Sequence, residues 1–440
     1  MPPARRSKSI ASRPSSSAAA AAAPDSHGGR GWLSARHSPS KRPRRGDDDG
    51  TPLSDEILVG IFAGFPELAD LVRCAATCRR WRRLVFLRRL VLGFFHHAAA
   101  AAAAAPRFVP MASASRALGL RPPASLNALV EGLDADGLFD ASRVVASRNG
   151  LLVVDLRRGK GDRALKLCVC NPMTGAVRLL PPLSGKDGLG HYACTVLTAD
   201  DLDDGTGKPS SYFRVVMVYT RRGFTAFRSY SSDDGSWSEE GKVTSARLGK
   251  KQMGVTHMGV VNPGSKIVFW LAKNVLFVLS LSSLASAVGS MPRSGNGRSF
   301  DMANTLLGLS PHGRLCAVQF DRLSLSTAKR EVSICVSTCN GRVWWDMKES
   351  IQVDQYLPAD VSTVKLQWFC EKSGVVFFTV TAGSDDQRSE VYALSLDTKT
   401  VEMVASHAGD GDMWEGLHGY EMDQMAYLAS LAEHDNVEDA

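Results

Sequence analysis

Between residues 53 and 95, apolar side chains recur every three or four positions: Ile57, Leu58, Ile61 and Phe62, then Leu71, Val72, Cys74 and Ala75, then Trp81, Leu84 and Val85. This spacing puts them on one face of a helix, and three short helices fit. Ser54 is placed to cap the first, with Asp55 and Glu56 in the opening turn, where the helix dipole favours negative charge. Pro66 separates the first two helices and Asp70 can cap the second. The third starts near Cys78 and carries Arg79, Arg80, Arg82, Arg83, Arg88 and Arg89 on its polar side. We read 51–95 as a small helical module. An alanine run over 98–105, closed by Pro106, opens a linker and lead-in at 96–140, and His96-His97 reads as a frayed helix end.

From 144 to 404 the period changes. Short β-type runs, among them 151–156, 165–170, 177–180, 213–219, 315–320, 332–337, 375–381 and 391–396, are divided by Gly, Asn, Asp, Ser and Pro. Strands do not alternate with helices, which disfavours a parallel α/β sheet. Stretches 167–181 and 391–404 share a cadence in which a strand ends at Asn or Asp, turns and resumes. Such repetition suits β-propeller blades, and at roughly 40–50 residues per blade the region holds about five or six, with 107–143 available for another. A pair of β-sandwiches competes with this reading. The domain is set at 141–408. The apolar stretch 267–288 approaches the length of a membrane span, but Lys273 and Asn274 break it, so it reads as strands 266–271 and 275–281 joined by a turn. Residues 409–440 hold nine acidic residues and no Lys or Arg. There Tyr420, Met422, Met425, Tyr427, Leu428 and Leu431 predict an amphipathic helix on the β domain, followed by an acidic end.

Composition adds limits. Of 440 residues 44% are apolar and 22% charged, enough for one large or two smaller domains. The net charge of +7 sits at the front, since residues 1–50 carry ten Lys/Arg against four Asp, which argues against a nucleic-acid surface over the whole protein. Those residues are rich in Ser, Pro, Ala, Gly and Arg and read as a disordered tail. Their first part shares its composition with organellar transit peptides, a reading ranked below plain disorder. Lys41-Arg42-Pro43-Arg44-Arg45 is a basic cluster of the kind importins read, so the expected location is cytoplasm, nucleus or both. Nine cysteines without a CxxC pair fit reduced thiols. Cys74/Cys78, Cys168/Cys170 and Cys335/Cys339 lack a complete tetrahedral set. There is no phosphate loop, GxSxG or HExxH. No catalytic residue, cofactor or metal is therefore expected, and the acidic runs 200–204 and 385–386 read as solvated turns.

Residues 52–66 and 70–84 together resemble an F-box. Leu53, Glu56, Ile57, Leu58, Ile61, Phe62, Pro66, Leu71, Cys78, Arg79, Trp81 and Leu84 stand at matching positions, while Ser54 replaces the family's proline and Phe65 its leucine. Within the β region, 147–152, 170–175 and 180–182 are similar to the first blade of the propeller-like F-box-associated domains of plant F-box proteins, and 229–237 and 266–271 to later parts. The resemblance implies a multidomain chain, an all-α three-helix F-box followed by an all-β domain, with a β-propeller favoured. It implies a non-catalytic substrate receptor of a Skp-cullin-F-box-type ubiquitin ligase, which docks on a Skp-type adaptor, reaches a cullin through it and holds an unknown protein target on the β domain. The adaptor-binding set would be Leu53, Ile57, Leu58, Ile61, Phe62, Pro66, Leu71 and Trp81. Independently of any family, so small a module cannot bury all these side chains itself and leaves some for a partner. The alternative is a propeller scaffold outside any ligase; a propeller hydrolase or lectin would need a pocket of convergent carboxylates or aromatics.

Overall fold

The computed structural model describes residues 91–423 apart from 98–103, 116–123, 131–136, 158–163, 185–188, 202–210, 244–246, 255–257, 284–285, 291–303, 322–331, 341–343, 384–387, 409–413 and a few single or paired positions. Before residue 91 it describes Leu53, Ser54, Ile57, Leu58, Ile61, Phe62, Cys74, Thr77, Cys78, Arg80 and Trp81. The 1–50 tail and 424–440 lie outside the described residues.

Six antiparallel sheets form the blades of a propeller. Strands β1 (Val91–His96), β2 (Arg107–Pro110) and β3 (Ala124–Ser125) belong to blade 1. Blade 2 is β4 (Arg143–Arg148), β5 (Leu151–Asp155), β6 (Leu167–Asn171) and β7 (Ala176–Leu179). Blade 3 is β8 (Tyr192–Thr198), β9 (Phe213–Thr220), β10 (Thr225–Ser231) and β11 (Ser236–Trp237), with β12 (Gly241–Val243) also on β10. Blade 4 is β13 (Val260–Asn262), β14 (Ile267–Ala272), β15 (Val275–Ser280) and β16 (Ser286–Ser290). Blade 5 is β17 (Thr305–Leu309), β18 (Leu315–Asp321), β19 (Ser333–Asn340) and β20 (Trp344–Gln352). Blade 6 is β21 (Val361–Cys370), β22 (Val375–Ala382), β23 (Arg388–Ser395) and β24 (Val401–Ala408). The last described strand, β25 (His418–Glu421), returns to pair with β1 and becomes the innermost strand of blade 1, in the order β25-β1-β2-β3. Inner strands β25, β4, β8, β13, β17 and β21 neighbour one another in that order, and β21 meets β25 to close the ring.

Blades pack face to face, so most strands are buried on both faces and read as nearly continuous apolar runs. Strand β9 makes the point: Phe213, Val215, Met217 and Tyr219 pack with Val153, Leu167 and Val169 of blade 2, whereas Val216 and Val218 pack with Val268, Trp270 and Phe277 of blade 4. The period of two sends alternate side chains to opposite neighbours, and each fully buried Val, Leu or Phe contributes about 1.5–3 kcal/mol. The two cadenced stretches are corresponding hairpins, β6–β7 and β23–β24, with Gly175 and Lys399 at positive φ in their turns. The interrupted apolar stretch folds as β14 and β15 around Lys273, also at positive φ.

Several expectations are corrected. Residues 91–95, placed at the end of the helical module, are strand β1, buried throughout. His96 is buried among aromatic rings rather than at a helix end, and His97 Nε2 accepts the Val144 backbone N–H at 3.2 Å. The lead-in at 96–140 supplies β2 and β3. Tyr420 lies in a strand, not a helix: its ring packs edge-on to Phe95 with centroids 5.6 Å apart, and its hydroxyl donates to the Gly150 carbonyl at 2.9 Å. The reason is tertiary, since β1 offers an open edge that only a returning strand can pair. Gly419 makes that return possible, because a Cβ there would stand 2.6 Å from Cys370 Sγ and from Trp368 Cδ1 of blade 6.

Candidate functional site

In the F-box-like segment, Ser54 acts as the expected cap. Its Oγ accepts the Ile57 N–H at 3.4 Å, and its carbonyl accepts the Leu58 N–H at 3.0 Å. The helical residues Ile57, Leu58, Ile61 and Phe62 form two apolar pairs. Leu58 and Phe62, four apart, are 1% and 4% exposed, and Phe62 meets Trp81 edge-on at 5.3 Å. Ile57 and Ile61, also four apart, are 52% and 46% exposed. Arg80 donates to the Leu53 carbonyl at 2.5 Å and ties the two ends of the segment together. Of the eight residues expected at the adaptor, then, Leu58 and Phe62 are interior, Ile57 and Ile61 face outward, and Leu53 and Trp81 are half-buried. Pro66 and Leu71 lie outside the described residues.

The propeller carries two differently charged ends. Polar groups cross every blade junction, at most of them where the inner strands finish. Ser147 Oγ donates to the Gly419 carbonyl at 2.6 Å between blades 2 and 1. Buried Arg148 pairs with buried Asp201 of blade 3, while Asn149 donates to Thr198 Oγ1 at 2.8 Å. Thr195 Oγ1 donates to the Gly259 carbonyl (2.7 Å) and Asn262 to the Gly313 carbonyl (2.9 Å). Asn304, just ahead of β17 and so nearer the opposite end, bridges the backbone of Val364 and Leu366. Ser373 donates its N–H and hydroxyl to Glu421 at 2.7 and 2.6 Å, which locks the returning strand to blade 6. Asp201, read from the sequence as part of a solvated turn, is therefore interior. Burial alone would raise its carboxyl, but Arg148, Lys372 and the Thr198 N–H hold it below the usual range. The companion run 385–386 lies outside the described residues. The stretch 147–150 is thus an inter-blade clasp whose Asn149-Gly150 turn has positive φ at both residues, as a tight hairpin requires.

Half-buried Glu371 reaches the same region. Burial pushes its carboxyl up to about 8; Arg148 and Lys372 pull against that rise, and Glu421 and Asp201 add to it. It lines a cavity of about 30 Å³ with Val260, Leu306, Trp368 and Phe369, which has room for a water or two and for no larger ligand. A polar cup of about 350 Å³ lies on blade 3, lined by Arg214, Ser229, Ser231, Asp233 and Trp237 among others. Its hydroxyl-bearing residues share one blade face because Arg214, Ser231 and Ser236 stand in one register row.

Where the inner strands begin, carboxylates instead orient arginines at the surface. Asp155 accepts from Tyr192 (2.6 Å) and Arg157 (2.6 Å), and Glu240 from Tyr219 (2.6 Å) and Arg221 (2.6 Å). No group of His, Cys, Asp and Glu among the described residues could hold a metal ion. Among the same residues no helix is long and apolar enough to cross a membrane.

Comparison with known proteins agrees with this division. Residues 55–91 match a family model described as F-box-like, and 121–432 match one described as a domain of unknown function, DUF7595. No curated protein matches. Among solved structures the chain is similar to a putative 6-phosphogluconolactonase from Bacteroides fragilis NCTC 9343 (7% identity, 75% of this chain and 98% of that one, TM-score 0.38). It is also similar to the periplasmic gluconolactonase PpgL of Pseudomonas aeruginosa (14%, 73% and 84%, 0.36) and to the β-propeller domain of the Trilobed protease from Pyrococcus furiosus (7%, 60% and 71%, 0.32). An F-box-like segment running directly into a six-bladed propeller defines the class. The second match covers well over half of the residues, and the chain belongs to the DUF7595 family.

Proposed function

We propose that the protein is a substrate receptor of a Skp-cullin-F-box-type ubiquitin ligase, non-catalytic itself, which docks on a Skp-type adaptor and presents a target held by the propeller. The observation that carries this reading is the split of the F-box-like helix. Leu58 and Phe62 are spent on the module's own interior, while Ile57 and Ile61 project outward as an apolar pair suited to a hydrophobic groove of partner helices. The mechanism is proximity, since the bound target is held at high effective concentration near the ubiquitin carrier. The direct run from the F-box-like match into β1 at residue 91 supports it, because a short connection limits the positions a target can occupy. We further place the protein in the cytoplasm and nucleus, with the Lys41 to Arg45 cluster as import signal; unchanged distribution of a fluorescent fusion after replacing those basic residues would overturn that part.

The test is binding of the purified full chain to a Skp-type adaptor by calorimetry. Replacing Ile57 and Ile61 together by Asp should weaken binding by on the order of a hundredfold or more, as expected when two buried isoleucines are lost, with unfolding of the propeller unchanged. Leu179→Asp, at an apolar side chain 59% exposed on blade 2, should leave affinity as it is. Absence of adaptor binding by the folded wild-type chain would overturn the ligase reading in favour of a propeller scaffold.

A further inference from the structure

The propeller end at which the inner strands begin carries a one-sided distribution of charge. Neighbouring strands of a blade run in opposite directions, so the start of the first, the end of the second and the start of the third share one end; the registers Arg143↔Asp155 and Asp155↔Leu167 fix this for blade 2. The surface is continuous from blade 2 into blade 4. Arg157 lies over the Tyr192 ring at 5.4 Å, the adjacent His191 accepts the Thr220 N–H at 3.1 Å, and Gly254, closing the helical turn Lys250–Met253, stands beside the His191 ring. Leu248 N–H donates to Thr225 Oγ1 at 2.7 Å and holds the connection to blade 4 against blade 3.

Along this path Arg222, Arg247, Lys250, Lys251 and Lys273 are all exposed, and Arg157 and Arg221 are held in place by their carboxylate partners. Glu239 is the exposed carboxylate among them. On blades 1, 5 and 6 the described residues at the same end are mixed: Asp140 and Arg107 on the blade 1 side, Asp354 and Asp360 beyond them, with Arg388 between Asp360 and Glu390. The net charge beyond the N-terminal segments is close to zero, yet among the described residues this end is basic over three adjacent blades and of mixed sign over the others. A long polyanion would run from the basic arc past Asp140, Asp354 and Asp360, where the favourable charge ends, and the aromatic rings within the arc, Tyr192 and Phe224, are already covered by Arg157 and Lys242. A short acidic peptide fits inside the arc.

We propose that the basic arc of blades 2–4 is a docking surface for a short acidic segment of a partner protein. It rests on the receptor reading only in identifying that partner with the target, since the arc itself needs no adaptor.

The experiment uses the full chain and fluorescence anisotropy with a labelled peptide of alternating Asp and Ser, its Asn-Ser counterpart and a single-stranded DNA oligonucleotide. The Asp-Ser peptide should bind, weaken with added salt and exceed the neutral peptide. Arg222→Glu, Lys250→Glu and Lys251→Glu combined should reduce its affinity about tenfold or more. A variant of equal net charge, Arg178→Glu with Lys266→Glu and Arg314→Glu, changes residues away from the arc and should bind as wild type. Equal loss in both triple variants, equal binding of the neutral peptide, or tighter binding of the oligonucleotide would each overturn the proposal. The Ile57→Asp/Ile61→Asp variant should keep peptide affinity, so that failure of adaptor docking and failure of the arc remain distinguishable.

Discussion

The two ends of the propeller use charge in opposite ways. Where the inner strands finish, Arg148, Asp201 and Glu421 are almost wholly buried and each is matched to a partner on another blade. Where they begin, Arg222, Lys250 and Lys251 stand in solvent and share a sign. A buried charge costs several kcal/mol unless paired, so it is retained where its partner joins two blades. An exposed charge costs little and contributes little to stability, which leaves it free for binding.

Removing one half of a buried pair gives the largest expected effect. Arg148→Ala leaves Asp201 enclosed without its cation and should destabilise the propeller by about 3–5 kcal/mol, read from equilibrium urea unfolding. Arg148→Met combined with Asp201→Leu should recover most of that loss; if Arg148→Ala alone costs nothing measurable, the clasp between blades 2 and 3 is not structural. A smaller effect concerns pH. Glu371 has its folded-state pKa raised from 4.5 to about 8, so between those values the unfolded chain ionises while the folded chain keeps its proton. Stability from this group is complete below pH 4.5 and is lost as pH rises towards 8. Glu371→Gln should flatten that slope, and an unaltered slope would remove Glu371 from the account. The smallest effect belongs to the basic arc: Arg222→Glu, Lys250→Glu and Lys251→Glu, made singly, should each change stability by no more than about 0.5 kcal/mol, and a large shift in unfolding midpoint would erase the distinction between the two ends.

The F-box-like segment separates legible from illegible in the same way. Its helical period, its cap at Ser54 and its apolar set can be read directly from the chain, but the period alone does not tell Ile57 from Leu58. Leu58→Asp, an obvious test of docking from sequence, would strike a side chain 1% exposed and unfold the module, whereas Ile57 and Ile61 test the surface.

In the propeller, local pattern was enough for β5, β6, β7, β9, β14, β15, β18, β19, β22 and β23, the turn at Lys273 and the two matched hairpins, since apolar runs and turn residues are nearest-neighbour properties; the inner strands β8, β13, β17 and β21 did not stand out in the same way. Three features were not local. Residues 91–96 follow a helical pattern closely enough to read as its continuation, and became a strand because β25 and β2 flank them. Tyr420 stands at helical spacing from later apolar residues, yet it pairs across to Gly93, more than three hundred positions away. Asp201 belongs to an acidic run that reads as solvent-exposed, and only the approach of Arg148 makes its burial tolerable. The sequence by itself determined many of the middle and outer strands and where an F-box-like helix begins, because short-range periodicity and capping decide those. Closure, the clasp at each blade junction and the gathering of basic loops on one arc were decided by tertiary structure, since each joins residues whose proximity depends on how the blades close into a ring.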